Sequence, residues 1–117
     1  MNDSLTLFTG LIFFVIGLLF KILPPKKINS IYGYRTASSM RNIYTWRAAN
    51  KYSAVYMILE GIALMIIGLI IPKFAASRAT GTGISVGILI LFIIVLFVAT
   101  EQHLHRNFDK DGQRRIT

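Results

Sequence analysis

The stretch "ISVGILILFIIVLFVAT" (Ile84–Thr100) holds no charged residue, no proline and no alternation of polar with apolar positions. Its length falls in the range of roughly 17–25 apolar residues that crosses a hydrocarbon core as a helix. Two further runs share the pattern, Leu5–Leu23 and Tyr52–Ile71. Within a bilayer the backbone has no water to bond, so each run must satisfy its own N–H and C=O groups, and a helix does this. The expected fold is an all-α integral membrane protein with three transmembrane helices, at about 5–23, 52–71 and 84–100. A long cytoplasmic loop, 24–51, is expected between the first two, an external loop at 72–83, and a cytoplasmic tail at 101–117. The 117 residues then form a single membrane domain, 1–117.

The composition agrees with that reading. Apolar residues make up 54% of the chain, and the mean hydropathy is +0.58. The first run is expected to remain as a helix. Residues 1–4 carry Asp3 and no cation, and the run closes on "FKILPPKK" rather than on a small-residue cleavage site, unlike a secretory signal peptide. There is no cysteine, which excludes disulfides, thiolate metal sites and thiol catalysis.

The net charge of +8 would suit a nucleic-acid binder, but its distribution points elsewhere. Apart from Lys73 and Arg78, every Lys and Arg lies between Lys21 and Lys51 or between Arg106 and Arg115. Cations gathered on alternate connections are the positive-inside signature. They place the N-terminus outside and the C-terminus in the cytoplasm, with the basic segments against anionic headgroups. No nucleic-acid recognition motif accompanies the charge.

Small residues recur within the helices. Gly10 and Gly17, Gly61 and Gly68, and the GxxxG pair Gly83 and Gly87 each fall near one helical face. Lipid supplies no hydrophobic drive for association, and such residues let backbones approach closely. Together they favour a close-packed bundle, and a homodimer would give so small a bundle an interior. Pro24-Pro25 is expected to end the first helix and Pro72 the second. Ser38 or Ser39 is a candidate cap for a second helix that begins near Met40 and projects below the membrane.

Glu60 stands out. It lies about 12 Å into its apolar run at 1.5 Å per residue, where a carboxylate is costly unless protonated, paired or hydrated. Arg35, Lys21 or a cationic ligand are its candidate partners. A structural ion pair or a position near the headgroups would explain it without a ligand. Lys21, near the end of the first run, fits simple snorkelling. Trp46 and Asn50 share a face with Ile43, and Ser53, Met57 and Glu60 continue the stripe. Arg35 could form a forked bond to a carboxylate or phosphate. The tyrosines and Trp46 also suit an interfacial aromatic belt.

The tail "TEQHLHRNFDKDGQRR" (Thr100–Arg115) contains residue types that ligate metals. His103 and His105 face different sides of a helix, however, and Glu101 with His105 supplies too few ligands. Glu101 and His105 are expected as a helix-side pair that reaches Arg35. No catalytic residue, metal or cofactor is expected, since no nucleophile–base triad or phosphate loop is present.

The segment "INSIYGYRTASSMRNIYTWRAAN" (Ile28–Asn50) resembles the signature loop of the Sdp immunity-protein family. The matching residues are Asn29, Gly33, Tyr34, Arg35, Thr36, Ser39, Met40, Asn42, Trp46 and Asn50. "EQHLHRNFDKDGQR" adds a weaker match, and the likeness covers roughly Pro24 to Arg114. The resemblance implies a small bacterial cell-membrane protein that protects against a secreted, membrane-disrupting peptide toxin. In the best-known, longer type, further helices precede this module and the protein also draws a transcriptional repressor to the membrane. Only the three-helix module stands here, a departure from that pattern. The expected partners are thus the lipid bilayer, a toxin peptide and a second copy of the chain; nucleic acid is not among them, and the departure leaves a cytosolic regulator open.

Three classes of function compete. The first is toxin immunity, with Arg35, Trp46, Asn50, Glu60 and Glu101 forming a polar site near the inner membrane face. The second is a dimeric transporter or a binder of an ion, small molecule or lipid headgroup, with Glu60 holding a proton or cation. The third is a ligand-free scaffold.

Overall fold

The computed structural model describes residues 4–74 and 76–115. Asp3, Ala75 and residues 116–117, which carry parts of the expected N-terminal tip, external loop and tail, lie outside them. Three helices account for most of the chain: α1 (Ser4–Ile22), α2 (Ile43–Phe74) and α3 (Arg78–Asn107). All three are long and apolar enough to cross a membrane. α1, with 19 residues, spans about 28 Å at 1.5 Å per residue, close to the roughly 30 Å of a hydrocarbon core. α2 and α3, with 32 and 30 residues, reach about 45–48 Å and must overhang that core.

The overhang corrects one expectation. The long loop 24–51 is not present, because α2 begins at Ile43 and leaves only residues 23–42 between α1 and α2. The physical reason lies in the sequence from Asn42 onward, which carries neither proline nor glycine before Gly61. Asn42, rather than Ser38 or Ser39, caps the helix. Its Oδ1 accepts the Tyr44 and Thr45 N–H groups, each at 2.9 Å. Thr45 Oγ1 accepts the Asn42 N–H in return at 3.1 Å, a reciprocal capping box. Pro72 does not end α2, which runs on to Phe74. A proline removes only its own backbone donor, so the helix continues past it to Phe74. α3 likewise starts within the expected external loop, where Ser77 Oγ caps it by accepting the Thr80 N–H at 3.1 Å.

α1 and α2 pack backbone to backbone. A Cβ added at Gly10 would stand 2.8 Å from the Gly61 carbonyl oxygen, and one at Gly61 would stand 2.6 Å from the Phe14 nitrogen. Gly17 meets Ala54 and Ile58, and Gly68 meets Leu7, just as closely. Small residues let these helices exchange dispersion contacts along their length. α3 rests chiefly on α2. Gly83 and Gly87 take no part: among the described residues nothing lies within 4 Å of an added Cβ. Large apolar side chains such as Phe8, Leu69 and Ile94 face outward, as lipid solvation permits.

At the loop end, residues 23–42, the first turns of α2, the last turns of α3 and the tail form a polar cap. Within it Tyr34, Ala49, Leu104 and Phe108 make a small buried core. The tail turns back after α3 through an isolated antiparallel bridge between Phe108 and Arg114. Asn42 Nδ2 ties it to α2 by donating to the Gly112 carbonyl at 2.8 Å.

Candidate functional site

The cap is organised by residues that the sequence sets far apart. Asn29 Oδ1 accepts the Ile31 and Tyr32 N–H groups and starts a tight turn. Tyr32 packs edge-on against Phe20, with ring centroids 4.8 Å apart, and donates its hydroxyl to the Leu23 carbonyl. Gly33 follows at φ +110°, and an added Cβ would lie 2.6 Å from Asn50 Oδ1 and 2.8 Å from Pro25 Cγ. Glycine alone tolerates both that dihedral and that approach.

Asn50 and Trp46 receive this turn on α2. Asn50 Oδ1 accepts the Tyr34 N–H at 2.6 Å, while its Nδ2 donates to the Trp46 carbonyl at 2.9 Å. The fully buried Trp46 indole donates to the Pro25 carbonyl at 2.6 Å. A buried indole or amide costs free energy unless it is bonded, and both are. One turn further along the loop, Ser39 Oγ accepts the Thr36 N–H at 2.8 Å, and Thr36 Oγ1 accepts the Ser39 N–H at 3.1 Å.

Glu101 draws the loop onto α3. Its Oε2 accepts the Tyr34 hydroxyl at 2.7 Å and the Thr36 hydroxyl at 2.8 Å. Bonds to a charged acceptor are about twice as strong as neutral ones. Burial, followed by the bond to Glu101 and that carboxylate's charge, holds the Tyr34 phenol far above the ordinary tyrosine range.

The expected site residues therefore separate. Trp46, Asn50 and Glu101 meet in one network through Tyr34. Arg35 stays exposed and donates to the Ser30 carbonyl, away from the Glu101 carboxylate that Tyr34 and Thr36 occupy. Met40 is also exposed. His105 is exposed but lies close enough to Glu101 to act on its carboxylate, and its carbonyl accepts from Arg115 Nε at 2.7 Å, whereas His103 stacks on Tyr52 at 4.2 Å.

Glu60 lies outside the cap. Its neighbour Gly61 abuts Phe14, midway along α1, so Glu60 sits at mid-span rather than among headgroups. It is only 6% exposed, and its Oε1 has no hydrogen-bond partner among the described residues. It lines a groove of about 330 Å³ between α2 and α3, with Tyr56, Leu59, Ala63, Leu91, Phe92 and Val95 as the other walls. Neither cation offered by the sequence reaches it: Arg35 turns to Ser30, and Lys21 lines a different cavity near the end of α1.

Sequence reasoning missed the carbonyl of Pro25, the hydroxyl pair on Glu101 and the tie from Asn42 to Gly112. Each pairs groups with no regular spacing. The only available signal was that small hydroxyl and amide residues cluster in the connector.

Three membrane-length helices, joined at one end by a polar cap that closes on itself, define a multi-pass helical membrane protein. The SdpI/YfhL family model matches residues 26–100, which include the connector from Lys26, all of α2 and α3 as far as Thr100. The chain belongs to this family. It is 39% identical over 98 residues to the uncharacterized protein YfhL of Bacillus subtilis (strain 168), a match covering 81% of each chain. No solved structure matches.

Proposed function

We propose that this is a bacterial cell-membrane resistance protein, acting against a membrane-active peptide. The observation that carries this reading is family membership across the cap and two of the three helices. The cap consumes most of the shared signature residues in its own bonding. Arg35 remains outward-facing, so it is the side chain to meet a peptide that has inserted as far as the cap. The charge layout supports a cytoplasmic cap, with the N-terminus outside and the C-terminus inside. The open Gly83–Gly87 face of α3 supports a homodimer.

Expression in a peptide-sensitive bacterium is the direct test. A gain in survival that Arg35→Ala reduces supports the proposal. No gain against a panel of membrane-active peptides refutes it.

One observation favours a second reading, an ion-handling protein: the buried, unpartnered Glu60 Oε1 at mid-span. An intramembrane carboxylate of this kind commonly carries protons or cations. Proton or cation flux into liposomes that Glu60→Gln abolishes would support it. Flux unaltered by the substitution would reject a route through Glu60.

A further inference from the structure

We propose that the cavity between α1 and α2 at the cap end is a binding site for a phosphate-bearing anion, presented by an anionic lipid. The cavity holds about 430 Å³. Four cations line it from three elements: Lys21 on α1, Lys26 on the connector, and Arg47 and Lys51 on α2. Among the described residues, no acidic side chain lines it. Among the described residues, none of the four side chains makes a hydrogen bond or ion pair.

A topogenic signal needs cations near a membrane boundary, but not their convergence on one hollow. Arg47 and Lys51 stand at i and i+4 on one face of α2, a spacing at which like charges repel. A bound anion relieves that repulsion. The guanidinium supplies forked donors for phosphate oxygens, and the ammonium groups supply point charges. Phe20 and Val55 give the cavity apolar wall, suited to the glycerol and upper acyl segments of a lipid. The site lies where α1 ends at Ile22, the depth at which a headgroup phosphate sits. Basic pockets between membrane helices bind headgroups in this way.

The wall is built rather than incidental. The bond from the buried Trp46 indole to the Pro25 carbonyl fixes the segment that carries Lys26. Gly33 lets the following turn press on Pro25 from behind. The cap network thereby preorganises the cavity, which lowers the ordering cost of binding.

Native mass spectrometry of the purified full chain tests this with phosphatidylglycerol, zwitterionic phosphatidylcholine and inorganic phosphate. Phosphatidylglycerol should be retained preferentially. Arg47→Gln with Lys51→Gln should weaken that retention on the order of tenfold, since each juxtamembrane cation contributes appreciably. Lys21→Gln with Lys26→Gln should do the same from other elements, so misfolding of one pair, checked by circular dichroism, leaves the other as a test. Lys73→Gln with Arg78→Gln, at the opposite end, should change nothing. Displacement of the lipid by millimolar inorganic phosphate would support the anion site but name the free ion as its ligand. Persistence of the lipid assigns the site to the headgroup. Equal retention of both lipids without a phosphate effect overturns the proposal, as does an equal loss in the Lys73 and Arg78 variant.

Discussion

Asn50 bonds the backbone N–H of Tyr34 at 2.6 Å, and by that contact α2 holds the connector at its tightest turn. The same amide bonds the Trp46 carbonyl, so one side chain joins the connector to the helix that carries it. Asn50→Ala leaves the buried Tyr34 N–H without a partner, at a cost of about 1–3 kcal/mol. The melting temperature in detergent should fall, and proteolysis should open the connector before the helices.

Gly33→Ala should destabilise more than its one carbon suggests. The added Cβ meets Asn50 Oδ1 and Pro25 Cγ, and the φ of +110° is itself strained for alanine. Gly83→Ala is the matched control, since its Cβ meets nothing within 4 Å. There the change should be neutral or stabilising by about 0.5–1 kcal/mol, as for alanine over glycine in a helix. Parallel melting curves check the contrast.

The raised Tyr34 pKa fixes the sign of a pH effect. Folded Tyr34 stays neutral where an unfolded tyrosine ionises, near pH 10. Its contribution is fully present below that value and is lost progressively as the pH rises above it. The melting temperature should decline in that alkaline window, with a shallower slope in Tyr34→Phe. Absorbance titration should show that Tyr34→Phe removes no tyrosinate signal below about pH 11 from the folded protein.

Gly61→Leu should separate α1 from α2. Its side chain would enter the Phe14 backbone, starting from a Cβ already 2.6 Å from nitrogen. Overpacking of this kind costs about 1–3 kcal/mol or more. Gly87→Leu should leave the fold intact and reduce any self-association through α3. Crosslinking and thermal stability measured on the same two variants distinguish the effects.

The membrane class was legible because hydrophobic length is a local property. The packing faces of α1 and α2 were legible too, since glycines seven apart mark a helical face. The Gly83–Gly87 pair, four apart, also marks a face, yet among the described residues nothing covers it. Spacing identifies a face that could pack; only the arrangement of the other helices decides whether it does. α2 starts at Ile43, close to the expected Met40 and well before the apolar run at Tyr52. The apolar run marks where lipid begins, whereas the helix begins just after Asn42, whose side-chain oxygen bonds the first free N–H groups.

By itself the sequence determined that this chain spans a membrane as helices, and it singled out the polar connector and Glu60. Both follow from the cost of placing polar groups in lipid. The tertiary structure decided how those polar groups are satisfied. It paired Glu101 with Tyr34 and Thr36 rather than Arg35 and, among the described residues, left Glu60 Oε1 unpartnered. Hydrogen bonds require particular distances and angles, and charge complementarity read along a chain carries neither.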